Sequence, residues 1–261
     1  MAGTAVTSKF MLGTATVMLG PMVDLPNLTP ELHSIGLVKN FSLTFEPSSV
    51  DLTQGIRNSV VMSIVNGGDI RAQMEVYEYT SKNLSYGLGL DGSAVVAQTV
   101  ASTVGTLVDG TPGPVTSIVL AGGGGTAFAA NDQIMVIDST NDDRVTVRKI
   151  VSKSVDTLTV AGISGYDIPV GAVVQKVNMI PAGNPTDGLF LGAKVVGVLA
   201  DGAKCVLLFP KVRVVRGFTV GFQTNDYSNM PFEFKMLDLV STDANYADFG
   251  ANVRGQIFAR A

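Results

Sequence analysis

The segment Lys39-Asn-Phe-Ser-Leu-Thr-Phe-Glu46 decides the fold of this chain. Apolar residues at 41, 43 and 45 alternate with polar residues at 40, 42, 44 and 46. A period of two is typical of a β-strand with one buried face and one wetted face. We therefore predict a half-buried strand here, with one row of polar side chains on its open face. That row consists of Asn40, Ser42, Thr44 and Glu46.

The same period recurs in three later segments, 71–79, 211–222 and 232–240. Strands of this kind are typical of antiparallel sheets that bury one face and expose the other. The fold class predicted from these segments is all-β, a sandwich or barrel. The polar positions opposite the apolar ones are Arg71, Gln73, Glu75, Lys211, Arg213, Glu233 and Lys235.

One short helix is predicted over residues 80–88. Thr80 offers a hydroxyl that can cap the helix N-terminus, and glycines follow at the other end. At helical spacing, Leu84 and Leu88 share one face.

Aromatic residues divide the chain into two domains. The stretch 95–188 holds only Phe128 and Tyr166 of the 18 Phe and Tyr residues. Gly/Pro/Asp-rich segments, at 87–92 and 181–188, lead into and out of this stretch, as expected for an inserted domain. We predict an outer domain of residues 1–94 and 189–261. The insertion, 95–188, has short β-branched runs at 134–137, 145–147, 158–160 and 173–174, which predict a small β-barrel or sandwich.

The residues that usually carry chemistry do not form a recognisable site in this sequence. Cys205 is the single cysteine and lies in an apolar run, and His33 is the single histidine, which argues against a thiol nucleophile and a metal cluster. Gly122-Gly-Gly-Gly125 lacks the lysine of a phosphate loop and is better explained as a hairpin loop. Asp138-Ser-Thr-Asn-Asp-Asp143 lacks calcium-loop spacing and is interpreted as a solvated turn. We predict that the chain is not an enzyme and has no catalytic, cofactor-binding or metal site.

Charge and hydropathy limit the partners. The net charge of −4 argues against a surface that grips nucleic acid by its phosphates. Uninterrupted apolar runs are shorter than the roughly 20 residues of a spanning helix. The first 20 residues lack a basic n-region and a continuous apolar core, so we expect no targeting segment and a soluble protein made in a cytoplasm.

Taken as an ordered set, segments at both ends of the chain resemble the tail tube protein of long-tailed bacteriophages. The similarity covers about two-thirds of the sequence as judged from its patterns. The N-terminal segments are 39–47, 50–55, 72–80 and 82–84, and the C-terminal segments are 206–213, 218–222 and 229–234.

The resemblance implies a β-sandwich with a flanking helix, six copies of which close into a ring around a channel for DNA. Rings would stack through a long loop or hairpin at 46–70. The other partners implied are a tape measure protein, a terminator and a tail tip or baseplate, in a virion tail assembled in the host cytoplasm. DNA would pass through the channel without specific binding. The residues predicted to face the channel are Asn40, Ser42, Thr44, Glu46, Gln73, Glu75 and Glu233, and those predicted to stack rings are Val60, Val61, Met62, Ile64 and Val65.

Three questions stay open at this point. The polar rows could face outside solvent instead of a channel. Lys211, Arg213 and Lys235 either pair with acids on neighbouring strands or mark a subunit interface. The insertion is absent from the plain tube protein and is expected to project outward. In a contractile tail it would have to share space with the sheath, so the type of tail stays open.

The alternative function is a carbohydrate- or host-binding β module, although Phe128 and Tyr166 offer few aromatic rings for sugars.

Overall fold

The computed structural model describes residues 11–54, 59–90, 92, 95, 101–110, 115–162, 166–180, 189–216, 228–251 and 253–259. It is mostly β with few helices, which confirms the predicted all-β class. The chain divides into two compact units, Met1–Ala94 with Ala182–Ala261, and Val95–Pro181. The sequence placed the second boundary at residue 188, and the connecting stretch 181–188 lies outside the described residues.

The strands in chain order are β1 (Met11–Pro21), β2 (Val38–Gln54), β3 (Ser59–Val76), β4 (Ala101–Thr103), β5 (Val115–Val119), β6 (Gln133–Ile137), β7 (Val145–Ser154), β8 (Thr157–Ala161), β9 (Val173–Lys176), β10 (Leu191–Leu199), β11 (Lys204–Arg216), β12 (Met230–Met236) and β13 (Gln256–Ala259). The α-helices are α1 (Pro30–His33), α2 (Ser81–Gly87) and α3 (Tyr246–Phe249). Two 3-10 segments span Met22–Asn27 and Gly124–Ala127.

The strands of the first unit form one antiparallel sheet in the order β1-β10-β11-β12-β3-β2, with β13 paired to β11. The apolar positions of the alternating segments turn to one face of this sheet, and those of β3 and β12 are buried there. In β2, Phe41 and Leu43 are half-buried, but Phe45 is 54% exposed, so the strand predicted to be half-buried loses its cover at this end. The predicted burial of Cys205 in a strand is confirmed, since Cys205 lies in β11 and is 4% exposed. The core residues contributed by β3, β11 and β12 are Ala72, Met74, Val76, Phe209, Val212, Met230, Phe232, Phe234 and Met236.

Helix α2 packs against this core, and Leu84, on the predicted apolar face, contacts it. The cap is as predicted, because the Thr80 hydroxyl oxygen accepts a hydrogen bond of 3.1 Å from the Asn83 amide. Leu84 and Leu88 are half-buried, and the fully buried residues of the helix are Asn83, Ser85, Tyr86 and Gly87. The Asn83 side-chain amide donates to the carbonyl oxygen of Ile35 over 2.9 Å, so a buried polar side chain ties the helix to the preceding loop.

The second unit is a small closed sheet in the order β4-β9-β6-β7-β8-β5. A bridge between Val104 and Leu120 joins the chain just beyond β4 to the chain just beyond β5, so the two ends of the order meet. Closure removes the exposed edges that a small open sheet would leave. The four predicted β-branched runs are strands β6, β7, β8 and β9, as expected. The interior contains Ile118, Phe128, Ile134, Val136, Ile150, Leu158, Val160 and Val174.

The glycine-rich segment is a short 3-10 turn between β5 and β6, and its amide groups already have a partner. The Asp156 carboxylate accepts hydrogen bonds from Gly123 N at 3.0 Å and from Gly125 N at 2.8 Å. These hydrogen bonds, first from Gly125 and then from Gly123, lower the pKa of Asp156 below its ordinary value. A carboxylate of the same chain therefore occupies the position that a phosphate loop would offer to its ligand.

Two glycines of this segment give a matched test of its packing. A Cβ atom added at Gly125 would lie 2.0 Å from the Val155 carbonyl oxygen, whereas one added at Gly122 would meet nothing within 4 Å. We expect Gly125→Ala to destabilise the second unit by about 1–3 kcal/mol, because backbone must move to make room. Gly122→Ala is the control and should change stability by less than about 0.5 kcal/mol. Denaturant unfolding of the full chain, followed by hydrogen exchange in peptides from 115–162, measures both. Equal effects of the two substitutions would contradict the packing argument.

The acidic segment at 138–143 is a turn between β6 and β7, as interpreted from the sequence, but Asp138 is 2% exposed and is therefore not solvated. Asp138 Oδ1 accepts hydrogen bonds of 2.7 Å from both the amide and the hydroxyl of Thr140. These bonds are the main reason that the pKa of Asp138 is lowered. Arg144 Nη1 lies 3.7 Å from the second carboxylate oxygen. Within the described ranges, no group of three His, Cys, Asp or Glu residues is arranged to hold a metal ion.

Candidate assembly surfaces

Strand pairing brings the predicted polar positions of β2, β3 and β12 side by side on one face of the first sheet. Ser42 lies opposite Gln73, and Gln73 lies opposite Glu233. The neighbouring row runs across four strands and contains Thr44, Arg71, Lys235 and Arg213. We call this surface, opposite the core, the polar face. Its predicted members are Asn40, Ser42, Thr44, Glu46, Gln73, Glu75 and Glu233; all are exposed except Glu75, which is partly buried, and Glu233, which is buried.

An ion-pair network covers part of the polar face. The Arg71 guanidinium lies 2.8 Å from Glu233 Oε1 and 2.8 Å from Asp69 Oδ2. Lys235 Nζ lies 3.1 Å from the other oxygen of Asp69. The hydrogen bond from Arg71, followed by that from Lys235, lowers the pKa of the Asp69 carboxyl. Of the three bases for which the sequence left two alternatives, Lys235 therefore pairs with an acid on a neighbouring strand.

Glu75 is the centre of a second polar cluster on this face. Asn40 lies where the register between β2 and β3 shifts, and its backbone has a positive φ of 53°. Hydrogen bonds from the side chains of Asn40, Tyr77 and Asn229, in that order, lower the pKa of Glu75. Lys39 Nζ lies 4.6 Å from the centroid of the Tyr77 ring. A groove of about 190 Å³ lies beside this cluster and is lined by Asn40, Ser42, Gln73, Met74, Glu75, Pro231, Phe232 and Glu233.

Lys211 does not belong to a wetted row, and that prediction was wrong. The residue is 7% exposed, and its ammonium group lies 2.8 Å from Asp243 Oδ2 and 4.4 Å from the centroid of the Phe190 ring. The Leu237 amide donates to the carbonyl oxygen of Lys211 and continues the pairing of β12 with β11. The bond to Asp243 brings the segment after β12 onto the Lys211 side chain. Arg213, two residues on, is exposed as predicted.

Beyond the core, β2 and β3 continue as a two-stranded ribbon that we call the arm, residues 47–54 and 59–65. Val50 pairs with Ile64 and Leu52 pairs with Met62, so these four apolar side chains share one face, and each is more than half exposed. The opposite face carries the pairs Ser49–Val65 and Asp51–Ser63, with a hydrogen bond of 2.6 Å from the Ser63 hydroxyl to Asp51. The predicted segment 46–70 is therefore a hairpin, whose tip at 55–58 lies outside the described residues.

The structure separates the five residues predicted to stack rings. Met62 and Ile64 lie on the apolar face of the arm, and Val65 lies on the other face. The register shifts between the Leu52–Met62 and Thr53–Val60 pairs, so Val61 is an extra residue in β3. Sequence reasoning missed Val50 and Leu52 as members of the apolar face, although their alternation with Asp51 was a signal. It also missed Asp69, because a lone acid at the end of a presumed loop carries no periodic signal.

The aromatic residues of the second unit do not form a platform for sugars. Phe128 is 2% exposed and belongs to the interior of the closed sheet. Tyr166 is half-buried, and its hydroxyl lies 2.7 Å from the Thr146 hydroxyl. The Phe128 ring therefore has no face on which a sugar could stack. The guanidinium carbon of Arg144 lies 5.5 Å from the centroid of the Tyr166 ring.

The sequence matches no protein-family model and no curated protein at a significant level. No helix among the described residues is long and apolar enough to cross a membrane.

Proposed function

We propose that this chain is the tube-forming subunit of the tail of a long-tailed bacteriophage. In this role six copies close into a ring, rings stack into a tube, and DNA passes through the tube into the host cell. The observation that carries the proposal is the arm, a ribbon that extends beyond the core with an apolar face exposed to solvent. A monomer gains nothing from such a face, since exposed contiguous apolar surface usually marks an interface with another protein.

The sheet supports the same role through its edges. β2 is at one end of the strand order, and within the described residues no strand pairs with its outer edge. A 17-residue edge strand is a ready template for another chain, and proteins that assemble into rings remove such edges by pairing them between subunits. The polar face, most of whose predicted members are exposed in the monomer, would then line a continuous barrel.

The charges of the polar face suit a passage for DNA. Arg71 and Lys235 are held by Asp69 and Glu233, so these bases are already neutralised within the subunit. A phosphate could bind these bases only in competition with the carboxylates that already hold them. Each phosphate that a free base neutralises would add salt-sensitive affinity for DNA. The proposed lumen therefore lets DNA slide. The proposed partners are further copies of this chain, with tape measure, terminator and tail tip or baseplate proteins at the ends of the tube, and the second unit is expected on its outside.

Electron microscopy combined with cysteine labelling tests the function. We expect the purified chain to form rings or tubes, and Ser42→Cys and Gln73→Cys in tubes to react slowly with a small maleimide and negligibly with one too large to enter the channel. Ala200→Cys, at the exposed turn between β10 and β11, serves as a control for general reactivity. Particles that stay monomeric under all assembly conditions would overturn the proposal. Fast reaction of Ser42→Cys and Gln73→Cys with both reagents would place the polar face on the outer wall.

A further inference from the structure

The base of the arm is tied to the C-terminal segment of the chain, 253–259. The Arg254 guanidinium donates to both oxygens of Asp238, over 2.7 Å from Nε and 2.8 Å from Nη2. Its third donor, Nη1, bonds the carbonyl oxygen of Gly68 on β3. Paired contacts between a guanidinium and a carboxylate fix direction as well as distance, so Arg254 links three segments in one geometry.

Gly68 lies where the arm leaves the sheet. The register between β2 and β3 shifts between Pro47 and Ser49, opposite this glycine. Gly67 next to it has a φ of +98°, a left-handed backbone that glycine adopts without strain. We call this point, where Pro47 lies opposite Gly68, the joint. Its two glycines, Gly67 and Gly68, permit several backbone directions. A groove of about 760 Å³ beside the joint is lined by Phe45, Glu46, Pro47, Gly67, Gly68, Asp69, Ile70, Asp238, Val253, Arg254 and Gly255.

The C-terminal segment is itself anchored to the sheet away from the arm. β13 pairs with β11 from Leu208–Gln256 to Cys205–Ala259. A Cβ atom at Gly255 would lie 2.5 Å from Cδ1 of Phe209, so the chain passes directly over this ring. Arg254 therefore reaches the arm from a fixed strand, not from a loose end.

We propose that the segment 253–259 sets the direction in which the arm leaves the sheet, through the hydrogen bonds that Arg254 makes with Asp238 and Gly68. We call this segment the latch and these bonds the tie. The ion pair between Arg254 and Asp238 can separate, because both side chains reach solvent. The side chain of Asp238 is 45% exposed and that of Arg254 is 23% exposed. Ion pairs at such exposure contribute little to global stability, so their loss changes the arm without unfolding the sheet. The hydrogen bond from Arg254 is also the main reason that the pKa of Asp238 is lowered. The inference concerns the direction of the arm and holds whatever the arm binds.

Distance measurements between two spin labels test the latch. The labels are placed at Thr53→Cys on the arm and Ala200→Cys on the sheet, in a Cys205→Ala background, and the monomeric fraction is measured by double electron–electron resonance. We expect Arg254→Gln to broaden the distance distribution at least twofold, because the Gly68 carbonyl and Asp238 lose their common donor. Asp238→Asn, which leaves the bond to Gly68, should broaden it less.

The control is Arg213→Gln, which removes an exposed arginine of β11 that takes no part in the bonds of Arg254 and should leave the distribution unchanged. Circular dichroism of each variant verifies that the sheet is intact. A distribution in folded Arg254→Gln as narrow as in the parent overturns the latch. Equal broadening by Arg213→Gln overturns it as well, since the effect would then be one of general surface charge.

Discussion

The double substitution Met62→Lys and Ile64→Lys is expected to leave a folded chain that no longer stacks into tubes. Both side chains lie on the apolar face of the arm and contact no core, so the monomer loses almost nothing. In a stacked interface each would contribute about 1.5–3 kcal/mol through burial. A lysine in the same place adds the cost of removing an ammonium group from water. Tube length in electron micrographs should fall at least tenfold, while circular dichroism and unfolding stay close to the parent.

The control for this prediction is a charge on the other face of the arm. Ser49 pairs with Val65 there, and Ser49→Lys places a lysine on the same ribbon without touching the apolar face. We expect Ser49→Lys to assemble normally. Tubes of ordinary length from the double variant would show that the arm does not stack rings.

A shortened arm gives an independent test. Ser49 and Val65 face each other across the ribbon, so residues 50–64 can be replaced by an Asn-Gly turn that closes the hairpin. Removal of residues 56–68 alone would instead leave part of β2 without its partner. The closed hairpin should yield single rings without stacks. Normal tubes from this variant would also argue against the proposed role.

The sequence predicted the polar face well because a period of two survives in any half-buried strand. Ser42, Gln73 and Glu233 were placed on open faces of three separate strands, and register then set them in one row. The faces of the arm could not be predicted, because the two register shifts in this ribbon change which residues are opposite each other. A shift of one residue turns every side chain to the other face. Without knowledge of the register, Val61 and Val65 were therefore predicted to stack rings together with Met62.

Contacts between residues distant in sequence could not be predicted. The helical period placed Leu84 and Leu88 on one face of α2, but it gave no sign that the buried Asn83 side chain bonds the carbonyl oxygen of Ile35, 48 residues away. Alternation likewise assigned Lys211 to solvent, and a segment more than 30 residues later covers it. Local patterns carry no information on such covering segments.

Removal of the ammonium group of Lys211 is expected to cost the first unit about 3 kcal/mol, as for other buried pairs that lose one partner. Lys211 and Asp243 are 9% and 14% exposed in their side chains, so water screens the pair poorly. Lys211→Met keeps the packing of the aliphatic stem on Phe190 and leaves Asp243 as a carboxylate without its cation. Arg213→Met is the matched control on the same strand, exposed, with an expected change below about 0.5 kcal/mol. Denaturant unfolding measures both.

The pH dependence separates loss of the ion pair from loss of packing. Burial alone would raise the pKa of Asp243, but the hydrogen bonds from Lys211 and the Val240 amide outweigh it and lower the pKa below 3.8. A lowered pKa in the folded state means that stability is present above the unfolded value and is lost as the pH falls through the folded value. In the parent the folded pKa of Asp243 is lowered, whereas in Lys211→Met burial without the cation raises it. The difference in unfolding free energy between the two should therefore be largest near neutral pH and shrink as the pH falls and the unpaired carboxylate takes up a proton. A difference that stays constant down to pH 3 would assign the loss to packing. The titration of the other carboxylates cancels in the difference between the parent and the variant. A difference that does not change with pH would therefore mean that Lys211 does not stabilise the unit through its charge.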